Sequence, residues 1–600
     1  MEAAILEIIA AIKAQSRTLD AAWLDKLVRR HNRATHDGMR RVAKRRLLPY
    51  YLGVRANDHA RWESWDVDPS TEEVLLRLLK MKPRRTASGV ATITVITKPW
   101  PCSSDCLYCP NDVRMPKSYL SDEPACQRAE RNYFDPYLQV RSRLMALGEM
   151  GHVTDKIELI VLGGTWSDYS EAYQTWFVSE LFRALNEADG TDTGAAYLQD
   201  AGSAPEERDR FYRACGLSYD HDELVRCTQS AQQAVNAGAW TYNQAFDRLY
   251  RRGAWRRVAL AQRATLEDLQ RQHAVNEKAA HRVVGLCIET RPDLITPQSA
   301  RAMRRLGCTK VQMGIQSLDQ RVLEQNHRNV SLGQIVDAFS TLRTFGYKIQ
   351  IHFMVNLLGS TPEADKADYL RLVSDERFLP DEVKLYPCCL VQSSRLGTYF
   401  KSGAWQPYDE DVLLDVLATD ELATPAYTRI SRMIRDISAT DIVAGNKKTN
   451  LRQMVERHVA DNGVLVREIR QREVSTSDVS LSDLRLDCVS YSTSVSEERF
   501  LQWVTEDNRI AGFLRLSLPR EGTEAMIREV HVYGRVAALH ASERGGAQHA
   551  GLGRRLVDKA CDLARDAGFS VVNVISSVGT RDYYRALGFA DGELYQRRPV

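Results

Sequence analysis

A chain of 600 residues that is 44% hydrophobic and 26% charged has the composition of a folded globular protein with room for two or three domains. No run of about 18 uncharged apolar residues occurs, which argues against a transmembrane span, and the opening M-E-A-A-I-L-E-I-I-A-A-I-K lacks the basic n-region of a secretory signal. A reducing cytoplasm with no membrane attachment is the expected setting, and 12 scattered cysteines do not read as a secreted disulfide framework.

The net charge of +3 hides a local concentration. Residues 1–80 read as a basic helical module that begins with an amphipathic helix. In it Arg29, Arg30, Arg33, Arg40, Arg41, Lys44, Arg45 and Arg46 are opposed only by Asp37, and Tyr50, Tyr51, Trp62 and Trp65 follow. A basic surface with rings beside it can hold phosphates and stack bases; a solvated helix face is the alternative.

Residues 81–400 alternate β-rich runs with helical stretches, the pattern of a parallel α/β sheet or barrel. Strands are predicted at 91–97, 157–164, 283–290, 310–316, 348–355 and 382–387, all near-continuous apolar runs, as expected of strands buried on both faces. Barrel enzymes place their chemistry where such strands end. Residues 190–280 break the rhythm with polar, helix-prone sequence, read as an insertion on the outside of the barrel. Residues 401–474 read as a linker region with basic helical segments, including the stretch 429–437, and residues 475–600 as a second α/β domain.

Within P-C-S-S-D-C-L-Y-C-P stand Cys102, Cys106 and Cys109. A zinc site would need a fourth ligand, and the nearest further cysteine is Cys126. Three thiolates at this spacing suit a 4Fe–4S cluster held on three corners, because full cysteine ligation takes four. The spacing resembles that of radical-SAM enzymes. The resemblance implies that S-adenosylmethionine fills the open iron site and that its reduction releases a 5′-deoxyadenosyl radical.

Near the C-terminus Gln548, Gly551, Gly553 and Arg554 fall in Q-H-A-G-L-G-R-R-L, which runs into an amphipathic segment after the strand-like R-E-V-H-V-Y-G. A glycine turn opening a helix lets backbone N–H groups close on a pyrophosphate. Q-x-x-G-x-G is similar to the acetyl-CoA turn of GCN5-related acetyltransferases. On that resemblance Tyr583 or Tyr584, in T-R-D-Y-Y-R-A-L-G-F, would lie near the thioester as general acid or orienting group. Helix packing is the alternative for either ring.

The two signatures in one chain resemble the catalytic subunit of Elongator in its single-chain bacterial form, over about residues 79–600. The supporting runs include K-P-R-R-T-A-S-G-V-A, L-G-G-T-W, G-L-C-I-E-T-R-P-D, L-G-C-T-K-V-Q-M-G-I-Q-S, K-L-Y-P and E-V-H-V-Y-G. The implied fold is a radical-SAM partial TIM-type barrel followed by a GCN5-related acetyltransferase domain. The resemblance gives the cluster to Cys102, Cys106 and Cys109, and S-adenosylmethionine to Gly163, Gly164, Glu289, Arg291 and Gln316. It lets Lys384 and Tyr386 guide the acetyl group or the uridine. An internal ion pair is the alternative for Glu289 and Arg291.

The implied reaction has the radical remove hydrogen from the acetyl methyl of acetyl-CoA and the carbon radical add to carbon 5 of a tRNA wobble uridine. Thioester hydrolysis then leaves a carboxymethyl group. Arg29, Arg30, Arg40, Arg41, Lys44, Arg45, Arg46, Lys447 and Lys448, with the arginines of 429–435, are the candidate tRNA grip. Further expected partners are an electron donor of reductase or flavodoxin type and a second copy in a homodimer.

There are departures from the family pattern. The cysteine gap is shorter, Val466, Glu468 and Gln471 stand where several members carry cysteines, and Asn356 stands where an acid is expected. The rival reading is a protein lysine acetyltransferase with a structural cluster, for which Glu529 is the candidate general base, a strand-end salt-bridge partner being the equal alternative for that residue. A tRNA-binding scaffold without catalysis is a third, opposed by the intact motifs.

Overall fold

The structure, a computed structural model, describes residues 1–14, 19–33, 42–82, 86, 88–188, 204–461, 463–474, 481–533 and 551–600. The amino-terminal helices include Glu2–Lys13, Ala21–Arg33, Lys44–Asn57 and Pro69–Leu79. In the first, Ala4, Ile5, Ile8, Ile9 and Ile12 recur at helical spacing and are buried, which makes one apolar stripe. The last starts on Asp68, whose side chain accepts from the Ser70 and Thr71 N–H groups ahead of Pro69, an ordinary N-cap.

These helices share a core of their own, and it claims two of the rings expected to stack on bases. Tyr51 is fully buried and Trp65 is 6% exposed. The Tyr51 hydroxyl donates to Glu72 at 2.7 Å and accepts from the Trp62 indole N–H at 3.0 Å. Both rings hold the module together.

A parallel sheet follows. Its strands are β1 (Ala91–Ile96), β2 (Lys156–Leu162), β3 (Arg282–Thr290), β4 (Lys310–Gln316), β5 (Lys348–Val355) and β6 (Glu382–Pro387). After the short β7 (Leu390–Val391) comes β8 (Arg429–Arg432), which pairs with β6, while β7 pairs with β9 (Ile442–Ala444). The order β1-β2-β3-β4-β5-β6-β8 leaves β1 and β8 as the two edges of a half-barrel.

Two expectations change here. Residues 429–432 form a strand instead of a helix: R-I-S-R offers one apolar residue, too short a run for either period to show. The strands are also not apolar on both faces. Their outer residues, such as Ile93, Leu159 and Ile351, enter the main core with the covering helices. Their inner residues, such as Thr92, Glu158, Lys310, Gln350 and Lys384, line a cavity.

The insertion folds as helices that include Ala204–Ala214, His221–Asn236, Tyr242–Leu249, Gly253–Ala261 and Leu266–Asn276. The first and last pack on barrel helices, through Tyr212 to Asp135 at 2.6 Å and Asn276 to Asn186 at 2.8 Å. The middle ones close over the cysteine loop, so the insertion is more than an outer appendage.

The C-terminal sheet comprises β10 (Arg485–Ser492), β11 (Ser496–Val504), β12 (Ile510–Pro519), β13 (Glu524–Val532), β14 (Val571–Val574), β15 (Ala590–Asp591) and β16 (Gln596–Pro599). Its order is β10-β11-β12-β13-β14-β16-β15, with β13 and β14 parallel. That pairing covers only Glu524–Ile527 of β13, so the two strands splay from residue 528 onward.

This domain sits on the amino ends of the barrel strands. Ser577 donates to the Val283 carbonyl at 2.7 Å, Tyr595 to that of Phe345 at 3.0 Å, and Arg304 reaches the Ser576 carbonyl at 2.7 Å. Gly579 allows this approach: a Cβ there would stand 2.6 Å from Arg282 Cβ and 2.9 Å from the Val283 carbonyl oxygen.

Candidate active site

Cys102, Cys106 and Cys109 are free thiols on the loop that follows β1, and all three line a cavity of about 1220 Å³ inside the half-barrel. The loop is held from outside by two side-chain amides of the insertion. Asn243 accepts the Cys102 N–H at 3.0 Å and donates to the Cys102 carbonyl at 2.9 Å. Gln232 accepts the Val113 N–H at 2.9 Å and donates to the Asn111 carbonyl at 3.1 Å. From inside, Lys117 Nζ donates to the Ser104 carbonyl at 2.8 Å.

The donor set fits an iron–sulfur cluster. The Cys109 thiol, then the Arg328 guanidinium and the Ser104 hydroxyl, hold Cys106 well below the ordinary thiol range against the opposing effect of burial. Arg328 Nη1 lies 3.8 Å from Cys106 Sγ. Among the described residues no trio of His, Cys, Asp or Glu converges as around a single ion. Three thiols on one cavity wall beside the Lys117 and Arg328 cations suit the thiolate ligation of such a cluster.

The residues expected around S-adenosylmethionine gather on the same wall. Gly163 has φ +117, and a Cβ on it would stand 3.0 Å from the Thr97 backbone nitrogen and clash with Thr97 Oγ1, so only glycine fits. Gly164, Glu289, Arg291 and Gln316 line the cavity. Gln316 holds φ +73 without being glycine, a strained backbone of the kind that gathers at functional sites. Arg291 is gripped by Asp293 through two bonds of 2.9 and 2.7 Å, and its third arm reaches Ser103 Oγ at 3.0 Å. The ion pair of Arg291 is thus with Asp293, leaving Glu289 bonded to the Tyr119 hydroxyl and 3.8 Å from His352 Nδ1.

Lys384, on β6, donates to Gln312 Oε1 at 2.7 Å, and burial pushes its ammonium down to about 8. Tyr386 stands edge-on to His352 with ring centres 5.7 Å apart. Burial, then the Lys384 charge, keeps His352 well below its ordinary range. His352, Lys117 and Arg328 were not singled out from sequence, although a polar residue at the lumen parity of I-Q-I-H-F-M-V was a readable signal.

At the other end, Gly551 takes φ +84 at the N-cap of the helix Leu552–Asp566. A Cβ on Gly553 would lie 2.9 Å from the Tyr583 hydroxyl, so ring and glycine turn adjoin. Tyr584 is 7% exposed and lines the cavity with Val530, His531 and Ser576 at the β13–β14 splay. Arg554 is exposed beside Asp558 at 3.9 Å. Gln548 lies outside the described residues.

Glu529, the candidate base of the rival reading, is fully committed. It accepts from Lys348 Nζ at 2.5 Å and from Arg515 Nε at 2.9 Å. Those cations hold its carboxyl below the usual range against burial.

The basic candidates are scattered. Arg29, Arg45, Arg46 and Lys447 are exposed, Arg30 pairs with Glu7, Lys44 with Asp25 at 3.1 Å, and Lys448 with Glu410. Arg40 and Arg41 lie outside the described residues. Arg429, Arg432 and Arg435 border the cavity itself. Asn356 braces a loop instead of acting in the cavity: its N–H donates to Asp365 at 2.7 Å and its side chain to the Gln406 carbonyl at 3.2 Å. Among the described residues no helix is long and apolar enough to cross a membrane.

Three family models match the chain: Radical SAM superfamily at residues 241–370, Radical_SAM C-terminal domain at 380–461, and Acetyltransferase (GNAT) family at 466–589. The cysteine loop precedes the first of these ranges. A tRNA uridine(34) acetyltransferase of Dehalococcoides mccartyi is 33% identical over 85% of this chain and 97% of its own. Elongator complex protein 3 of Homo sapiens is 28% identical over 87% of this chain and 86% of its own. Among solved structures, the Methanocaldococcus infernus Elp3 with an N-terminal deletion matches with TM-score 0.63 and 27% identity, over 85% of this chain and 99% of that one.

Proposed function

The chain belongs to the family of the tRNA uridine(34) acetyltransferases and Elongator complex protein 3, and we propose that one cavity joins both half-reactions of a tRNA wobble-uridine carboxymethylation. It is a tRNA-modifying enzyme of the acyltransferase class, with a radical-SAM domain and a GNAT domain, and its cofactors are a 4Fe–4S cluster, S-adenosylmethionine and acetyl-CoA. The observation that carries the proposal is the continuity of the cavity wall from Cys106 to Tyr584.

When bound, the cluster and S-adenosylmethionine supply a carbon-centred radical that can take hydrogen from the acetyl methyl group. Cys102, Cys106 and Cys109 would hold the cluster. Gly163 and Gly164 leave backbone free for the amino group of S-adenosylmethionine, while Arg291 suits its carboxylate and Glu289 and Gln316 its hydroxyls. Gly551, Gly553 and Arg554 would receive the pyrophosphate of acetyl-CoA at a helix amino end, with Tyr583 and Tyr584 orienting the acyl arm where it leaves that turn. Lys384 as ammonium can hold the acetyl carbonyl oxygen, and Tyr386 closes the pocket around it.

Arg432, exposed at the border of the cavity, would meet the anticodon phosphates, with Arg429 and Arg435 behind it paired to Glu473 and Glu123, since a uridine must be splayed from its stack to enter. Arg29, Arg45, Arg46 and Lys447, exposed elsewhere, are further candidates for tRNA contact. One-electron reduction calls for a donor of the reductase or flavodoxin type, and assembly as a homodimer is part of the same proposal.

The rival lysine acetyltransferase reading lacks its base, because Glu529 is held by two cations. Mass spectrometry of tRNA nucleosides tests the choice. Anaerobically reconstituted protein with reductant, S-adenosylmethionine, acetyl-CoA and unmodified tRNA should yield carboxymethyl-uridine, lost in Cys106→Ala. Acetyl-lysine on a protein substrate with no modified uridine would overturn the proposal.

A further inference from the structure

The two proposed cofactor sites lie at opposite ends of the half-barrel. The cysteine loop follows β1 at the carboxyl ends of the strands, whereas the C-terminal domain packs on their amino ends, against Val283 and Phe345. An acetyl group at the β13–β14 splay is therefore a strand's length from the cysteines. The cavity takes that path: its wall includes His531 and Tyr584 below, Ile160 and Gln350 midway, and Cys106 above.

We propose that the barrel lumen is a binding channel for the acyl-pantetheine arm of acetyl-CoA. The arm would present the acetyl methyl group, still joined as the thioester, to the cysteine-loop end while the phosphates stay at the Gly551 turn. The inference rests on the functional reading above and adds to it where the acyl arm lies.

Two features of the wall suit such a guest. The first is a pair of unpartnered polar atoms. Of the residues on the wall, His531 on β13 and His352 on β5 each bury an Nε2 without a hydrogen-bond partner. An unsatisfied buried polar atom costs about 1–3 kcal/mol, so two along one passage point to a ligand with amides and hydroxyls, which a pantetheine arm has.

The second feature is charge balance at the entrance. Lys310 lies 2.6 Å from Glu158 and 3.7 Å from Glu382, and Lys348 lies 2.6 Å from Glu382 and 2.5 Å from Glu529. Each charge is matched within the wall, so an uncharged arm passes without stripping a lone ion of its partner. Ile160 stands about 13 Å above the start of β2 at the usual rise per strand residue, beyond this entrance and short of the cysteines.

Disulfide trapping tests the channel. The reconstituted Ile160→Cys protein is incubated without reductant with coenzyme A disulfide. The introduced thiolate attacks one sulfur, forms a mixed disulfide and expels the other half as coenzyme A thiolate. Peptide mapping should place the adduct on residues 156–162, acetyl-CoA should suppress it, and Val153→Cys outside the lumen should gain none that acetyl-CoA suppresses. An Ile160→Cys protein that binds coenzyme A yet forms no adduct overturns the channel.

A second variant reads the same path in turnover. With methyl-deuterated acetyl-CoA, Ile160→Trp should weaken acetyl-CoA binding and, at saturating acetyl-CoA, keep S-adenosylmethionine cleavage near the parent level. Deuterium transfer into 5′-deoxyadenosine should fall about a hundredfold, as expected when a reacting group is displaced. Undiminished transfer overturns the channel. A parent protein that neither binds coenzyme A nor transfers deuterium overturns the functional reading itself, so the two failures are distinguishable.

Discussion

The two ends of the half-barrel are built on opposite electrostatic plans. At the carboxyl end, neutral amides of Asn243 and Gln232 clamp the backbone of the cysteine loop and leave the thiols facing the cavity. At the amino end, Arg528 is fully buried between Asp381 of the barrel, at 2.7 and 2.9 Å, and Glu498 of the C-terminal domain, at 2.9 Å. The first plan suits a loop that must accept a charged group, because its backbone is held by amides and its thiols line the cavity, while its own Asp105 is paired with Lys117 at 3.1 Å and with Arg395. The second suits a fixed joint, because charges buried together are costly to separate.

Breaking the joint should have the largest effect. Arg528→Met leaves Asp381 and Glu498 buried with one cation fewer, a change expected to cost about 3–5 kcal/mol. Chemical denaturation should show that loss, with the two domains unfolding in separate transitions; one unchanged transition would contradict the account. The pH dependence has a defined sign. Arg528, then Arg515, hold the Asp381 carboxyl far below the usual range against burial. Stability from that pair is present above the unfolded-state value near pH 4 and is lost as pH falls below it.

Weakening the clamp should instead leave the fold and affect the cluster. Asn243→Ala and Gln232→Ala each remove two hydrogen bonds from the loop backbone, worth about 0.5–1.5 kcal/mol apiece. Iron content per chain after gel filtration and the lifetime of the cluster in air should both drop, with the denaturation midpoint moved little. Full iron retention in the double variant would show that the loop is held without the insertion.

Between the ends lies Lys384. With its ammonium near 8, carboxymethylation should decline as pH rises through about 8, when the charge on the acetyl carbonyl is lost. Lys384→Arg, which stays charged, should flatten that decline, and Lys384→Met should cost about 100-fold. A decline unaltered in Lys384→Arg would remove Lys384 from the proton balance.

How much of this was legible beforehand follows from distance along the chain. The cysteine triplet, six strands and the glycine turn are local patterns, and each is found where the sequence places it. The clamp was not readable, because Asn243 lies 141 residues from Cys102 and only folding brings them together. Tyr51 and Trp65 next to arginines looked like a stacking surface, yet the same residues at helical spacing also make a core. Glu529 could be read as a general base or equally as a strand-end salt-bridge partner, and the structure shows the second; its two cations come from β5 and β12, and no spacing rule links them to it.

The contrast sharpens in the sign of a pH dependence at the carboxyl end. Glu123 is 8% exposed on the cavity wall, takes the Leu120 N–H at 3.1 Å and lies 3.4 Å from Arg435. Burial pushes its carboxyl up to about 7, with Arg435 opposing. The folded chain thus keeps a proton that the unfolded chain releases near pH 4.5, so stability from this group is full below that value and falls as pH rises through about 7. The shift amounts to about 3 kcal/mol at most. Asp381 at the joint slopes the other way, gaining as pH rises. Glu123→Gln should remove the decline between about pH 5 and pH 7.5 in urea midpoints and leave the acid limb governed by Asp381 in place. If both limbs moved together, the ends of the barrel would be titrating as one unit, and the separation of a loadable site from a fixed joint would fail.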